Sequence, residues 1–139
     1  MRIRPKFPNL NVPEVPKTDQ TAYGAYLAGP LGRCIECHTP SDEDEHPDYR
    51  NMLGAGGVTF TGPWGQAVSG NLTPDRDTGL GEFTDAQIKE MIVQGLRPNR
   101  TPVGRPMAHT YYGRMTDADL DAIIAYLRSL KPIKNFIDK

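Results

Sequence analysis

Two cysteines and a histidine stand within five residues, Cys34-Ile35-Glu36-Cys37-His38, and the 139-residue chain has no other cysteine. Three chemistries compete for such a string. A thioredoxin-like dithiol pair needs a preceding strand in a βαβ setting, and the run Thr21-Ala-Tyr-Gly-Ala-Tyr-Leu-Ala-Gly29 is not a strand-like apolar run. A structural zinc site needs four ligands. The two cysteines with His38, His46 and His109 reach that number, but no second Cys pair and no His-x-x-x-His pair completes the usual pattern. The third chemistry is covalent attachment of a c-type haem. On a helix, positions i and i+3 share a face and i+4 lies beside them. Cys34 and Cys37 can then form thioethers to two vinyl groups of one porphyrin, with the His38 imidazole offered to the iron from the same side.

Composition points the same way. Leu, Ile, Val and Phe together are 28 of 139 residues, at the edge where a chain stops supplying enough apolar area for its own core. Gly and Pro add another 14 and 13 residues, so loops are abundant. A buried porphyrin supplies apolar surface that side chains then need not provide, and two thioether bonds restrict the unfolded chain as disulfides do in one account. The formal net charge of -1 argues against nucleic-acid binding by bulk positive charge. No run of 18 apolar residues spans a membrane.

A haem iron held by one histidine takes Met, His or nothing on its other face. Met52, Met91, Met107 and Met115 are the methionine candidates, His46 and His109 the histidine ones. Met91 sits in a helical pattern with Ile88 and Ile92 and reads as core. Met115 precedes Thr116, an N-cap, and pairs with Leu120 as a hydrophobic staple. Met52 is open. Met107 lies in Thr101-Pro-Val-Gly-Arg-Pro-Met-Ala-His-Thr-Tyr-Tyr-Gly-Arg114, a stretch without helical period. Pro102 and Pro106 stiffen it, which suits a residue that must reach the iron at little ordering cost. Met107 is the expected distal ligand, with His109 its rival.

Residues 1–18, with four prolines and four basic residues, read as an extended arm, and 19–139 as the haem domain. The arm has no apolar h-region or cleavage site. Covalent haem attachment normally happens outside the cytoplasm, so the expectation is a periplasmic or other extracytoplasmic protein whose leader or membrane anchor is absent from this sequence. A first helix begins near Asp19 and runs towards Cys37, with Gly29-Pro30 as a point of interruption. Ser41–Asp48 carries five acidic residues without Lys or Arg and reads as a solvated loop or a docking patch. Residues 54–70 suggest a hairpin holding Trp64, set either against the porphyrin and its propionates or over a satellite core. Thr84-Asp-Ala-Gln87 is a capping box with Phe83 and Ile88 as staple, and this helix stops at Gly95. The last helix starts at Thr116 and ends near Leu130, with Leu120, Ile123, Ile124 and Leu127 as its core stripe. Arg97, Arg100, Arg105 and Arg114 offer partners for a haem propionate, Arg105 being nearest Met107.

Taken together, the Cys34–His38 string after a first helix, a methionine in a late loop and the closing Met-Thr-Asp-Ala-Asp-Leu-Asp-Ala-Ile-Ile-Ala-Tyr-Leu-Arg-Ser-Leu130 resemble a class I c-type cytochrome. Gly70-Asn-Leu-Thr-Pro-Asp-Arg-Asp-Thr-Gly-Leu-Gly-Glu-Phe-Thr-Asp-Ala-Gln-Ile88 is narrower and is similar to the haem domains of cytochrome subunits of bacterial periplasmic alcohol, aldehyde and sugar dehydrogenases. The resemblance covers roughly residues 20–132. It implies a mostly α cytochrome c fold, three to five helices around one covalently attached haem c with a short hairpin-like region. It implies His38 as proximal and Met107 as distal ligand. Departures are a single haem motif where such subunits often carry several, Ala108 where a proline often follows the methionine, and an insertion-like 41–48 stretch. The implied function is electron transfer between a dehydrogenase donor and an oxidase or another cytochrome, a carrier and not an enzyme. Membrane association would come only through a missing anchor. The alternative is a haem enzyme or gas or redox sensor with an open or displaceable distal site.

Overall fold

Asp19 starts the first helix by accepting the Ala22 N–H on its side chain at 3.0 Å, satisfying one of the donors a helix start leaves free. The computed structural model of the chain describes residues 13–138, so most of the expected 1–18 arm lies outside the described residues. Helix α1 is Gln20–Tyr26. It runs into a π-helical turn, Leu27–Leu31, with Pro30 inside it. A proline has no N–H to give the preceding turn, and a widened turn accommodates that loss. The chain then breaks at Arg33, a left-handed residue with φ 55°, and α2 is the single turn Cys34–Cys37. The one helix expected from Asp19 towards Cys37 is thus three pieces. The interruption falls where Gly29-Pro30 suggested, and the reversal three residues later.

A two-stranded antiparallel hairpin follows, β1 Thr59–Gly62 and β2 Gly65–Val68, in register from Thr59 opposite Val68 to Gly62 opposite Gly65. Helix α3, Asp85–Gln94, opens with both bonds of the Thr84–Gln87 capping box and ends at Gly95, whose φ of 67° is readily adopted only without a side chain. Phe83 and Ile88 both pack in the core. Residues 109–112 form a short helix, α4 (His109–Tyr112), which the proline-and-glycine composition of 101–114 did not suggest. Helix α5, Asp117–Ser129, is capped by Thr116, which accepts the Asp119 N–H.

The core lies between α1 and α5, with α2 and α3 contributing Ile35 and Ile88. Leu120, Ile123, Ile124 and Leu127 of α5 are buried at helical spacing, each contributing about 1.5–3 kcal/mol by the usual area argument. Gly24 is where α1 and α5 meet. A Cβ there would run into the Ala122 carbonyl and crowd Tyr126. The neighbouring Tyr23 hydroxyl donates to Asp119 at 2.9 Å, tying the same crossing on its polar side. After Leu130 the chain has no regular structure and folds back along the loop 71–78, where Ile133 and Asn135 bond to Asn71, Thr73 and Thr78.

Candidate functional site

Helix α2 is too short to be stable alone. It is held by burial of Ile35 and by the exposed Arg33–Glu36 ion pair across its first turn. On this turn Cys34 is mostly covered, and burial pushes its thiol up to about 11, the partner Cys37 adding a smaller upward push. Cys37 is less covered and its thiol is also raised, by burial and then by the Glu36 charge. No disulfide joins them. The element before them is a π turn, so the strand context of a dithiol oxidoreductase is missing. Among the described residues no three His, Cys, Asp or Glu side chains gather where they could hold a metal ion, so the zinc reading has no ligand set there.

His38 follows directly as the cap of α2. Its Nδ1 lies 2.7 Å from the Gly70 carbonyl. A carbonyl only accepts, so Nδ1 carries the proton and Nε2 keeps the lone pair. Nε2 makes no hydrogen bond among the described residues. Burial lowers the His38 pKa, with the bond to Gly70 opposing it. The ring is therefore neutral, oriented and left with one free donor nitrogen, the state required of a metal ligand. The backbone is fixed as well, since the Gly56 N–H donates to the His38 carbonyl at 2.7 Å.

Cys34, His38 and Met107 line one cleft, although Met107 is 69 positions beyond His38 in the chain. The rest of the wall is mostly apolar, with Leu72, Ile92, Ile123 and Leu127. Ile123 and Leu127 thus serve two sides, the core expected from the α5 stripe and the wall of the cleft. Tyr112 closes one edge, its hydroxyl donating to the Gly32 carbonyl at 2.8 Å. This bond joins the helix after Met107 to the residue pair before Cys34. Cys37 is on the same helical turn as Cys34 but not in the wall; a cleft with the Cys34 thiol, an imidazole lone pair, a thioether and apolar walls suits a covalently held haem.

Met115 also lines the cleft. The staple reading gave it a purely local role, and nothing in the string around it distinguishes the two. Met91 packs against the core as expected, while Met52 is in neither the core cluster nor the cleft. His109 is not in the cleft wall. Its Nδ1 is 3.0 Å from the Ile92 carbonyl, and its buried Nε2 has no partner. Gly95 gives this ring its place, because a Cβ there would come within 2.7 Å of it. His46 is exposed in the 41–48 loop. Trp64 stands on the hairpin turn over Gly62 and is 46% exposed. It lines neither cleft nor core, because the two-residue turn Pro63-Trp64 points it away from both. Arg97 donates to the Pro102 carbonyl and Arg100 pairs with Glu90 at 2.7 Å. Arg105 and Arg114 are exposed without an ion pair among the described residues.

Comparison with known proteins identifies the family. The cytochrome c family model matches residues 21–131. The chain is 33% identical over 111 residues to the cytochrome c subunit of a quinone-dependent alcohol dehydrogenase from Gluconacetobacter polyoxogenes, covering 79% of this chain and 22% of that one. It is 30% identical to the fructose dehydrogenase cytochrome subunit of Gluconobacter japonicus, covering 79% and 21%. A diheme cytochrome c-type protein of Cereibacter sphaeroides is 30% identical over 73% of this chain and 33% of its own length. The chain thus spans about a fifth to a third of the length of these three relatives.

Proposed function

The chain belongs to the cytochrome c family, and on that premise we propose that it is a single-haem electron carrier. Cys34 and Cys37 hold the group by thioether bonds, His38 is the proximal ligand and Met107 the distal one. The observation that carries this reading is that Cys34, His38 and Met107, from separate segments, line one apolar cleft while His38 keeps a free Nε2. Haem bound there supplies a one-electron ferrous–ferric couple. The residues do the rest. Gly70 orients the imidazole, and the apolar walls exclude water and so limit solvent reorganisation. A thioether on the distal side favours the ferrous form and raises the potential. With His38 and Met107 both holding the iron, a substrate would find no open coordination site, which would suit a carrier and not an enzyme.

Electron transfer is the shared property of the family and of the dehydrogenase cytochrome subunits this chain resembles. By that likeness its donor is a dehydrogenase and its acceptor an oxidase or another cytochrome. Such redox encounters use small, transient surfaces. Covalent attachment places the maturation of the chain outside the cytoplasm, in the periplasm for a bacterial protein. No helix among the described residues is long and apolar enough to cross a membrane.

The test is to produce the chain with the haem-attachment machinery and read its mass and absorption spectrum. We expect one haem of added mass, kept through acid-acetone extraction, and a ferric methionine–sulfur band in the far red. Met107→Ala removes that band and Met115→Ala retains it. Loss on Met115→Ala alone exchanges the two assignments. A high-spin spectrum that shifts with carbon monoxide turns the reading to an open-site sensor or enzyme.

A further inference from the structure

His38 is held from two sides by segments that lie far from it in sequence. Gly56 bonds its backbone carbonyl at 2.7 Å, and Gly70 accepts from its ring. These two holders are themselves pressed together. A Cβ on Gly56 would run into the Gly70 carbonyl carbon and oxygen, and Gly57 N–H donates to the Ser69 carbonyl at 2.8 Å. What fixes the pair against the rest of the protein is the tail after α5.

The tail bonds to one holder directly and to the loop that follows the other. Asn135 Nδ2 donates to the Ala55 carbonyl at 3.0 Å and reaches the Gly56 carbonyl at 3.4 Å. On the other side, the Ile133 carbonyl accepts from Asn71 Nδ2 at 2.7 Å. The Ile133 N–H donates to Thr73 Oγ1 at 3.1 Å, and the Asn135 N–H donates to Thr78 Oγ1 at 3.0 Å. Asn71 and Thr73 are 5% and 0% exposed. Thr73 Oγ1 donates to Asn71 Oδ1 at 2.7 Å, so both side chains are fully engaged. A buried polar network in which every member is satisfied fixes one conformation, whereas a partly satisfied one does not. The residues involved, Ile133 and Asn135, lie beyond the 21–131 segment that matches the family.

We propose that residues 133–135 form a positioning clamp that, through Asn71, Thr73 and Thr78, sets the Gly70 carbonyl against His38 Nδ1 and thereby tunes the proximal ligand. The clamp rests on the assignment of His38 as the iron's ligand. A carbonyl drawing on Nδ1–H makes the imidazole a stronger donor and favours the ferric state. Loosening the clamp therefore raises the midpoint potential. It also exposes the ring N–H, whose solvent exchange is seen by NMR in the ferrous protein.

The experiment uses the haem-loaded full chain with Asn135→Ala, Thr73→Val and Thr73→Ser, and with Leu120→Ala as a control for plain loss of core stability. Asn135→Ala and Thr73→Val should raise the potential and speed exchange of the His38 ring proton by about tenfold, the scale of one lost hydrogen bond. Thr73→Ser, which keeps the hydroxyl, should return both to the starting values. Leu120→Ala should lower the melting temperature without moving either readout. If Asn135→Ala and Thr73→Val behave like Leu120→Ala, the clamp is only a structural staple and the proposal falls. If the parent protein carries haem but its His38 ring proton lacks the shift of an iron ligand, the ligand assignment falls, and the clamp with it.

Discussion

A neutral imidazole has one lone pair, and its neighbours decide which nitrogen keeps it. At His38 the deciding neighbour is a backbone carbonyl, which no side-chain substitution at Gly70 removes directly. Tyr112, also in the cleft wall, is likewise fixed through a backbone carbonyl, its hydroxyl donating to that of Gly32. Burial pushes its phenol up to about 12, with smaller contributions from Cys34 and Cys37. The folded-state value lies above that of the unfolded chain. Its stabilising contribution is thus complete below about pH 10 and declines as the pH rises towards 12. Tyr112→Phe should cost about 1 kcal/mol, read as a lower melting temperature at neutral pH, and should flatten the loss of stability at alkaline pH. At this scale the sequence was informative where spacing dictates geometry. The strings around Cys34, His38 and Met107 singled out three residues that the fold brings to one cleft. Met115 was not legible, because its position before a helix cap satisfies a staple equally well. Nor was Trp64, since a two-residue turn determines where it points and its own identity does not.

Elements carry the next level of constraint. Helix α1 lies against α5 because Gly24 presents no side chain to the Ala122 carbonyl. Gly24→Ala should destabilise the protein by about 1–3 kcal/mol through overpacking, despite the higher helix propensity of alanine. Denaturant titration of the holo-protein checks it; an increase in stability would mean the helices separate at little cost. The Tyr23–Asp119 bond works at the same crossing. Bonds from Thr116 and then Tyr23 hold the Asp119 carboxyl below its ordinary range. Its contribution is present above about pH 4 and is lost as the pH falls through the folded-state value. Asp119→Asn should therefore narrow the stability difference between pH 5 and pH 3 relative to the parent. Caps and stripes predicted α3 and α5 closely, because Thr84, Gln87 and Thr116 act locally. Gly29-Pro30 marked the interruption of the first helix, but the left-handed break at Arg33 and the appearance of α4 were hidden. Both depend on tertiary contacts, the first at Gly32 and Arg33, the second where His109 settles on Gly95.

For the whole molecule, a low count of large apolar residues signalled that side chains alone do not complete the interior. The buried cluster is drawn from the helices together with Leu80 and Leu130, and the cleft that holds Cys34 and Met107 shares Ile123 and Leu127 with it. Charge is distributed unevenly over the exterior. The exposed acidic run 42–45 and the exposed Arg105 and Arg114 lie outside the ion pairs of the described residues. A field of this kind changes the rate of encounter with charged partners more than the strength of the complex.

The return of the chain after α5 bears on where such a module can be cut or joined. Counting helices draws the boundary at Ser129, and all of the regular structure survives a division there. Yet the contacts of the half-buried Ile133 and Asn135 tie the next few residues to the loop 71–78 and to Ala55. A fusion or excision designed on secondary structure alone would leave behind a complete bundle with an unlatched back wall.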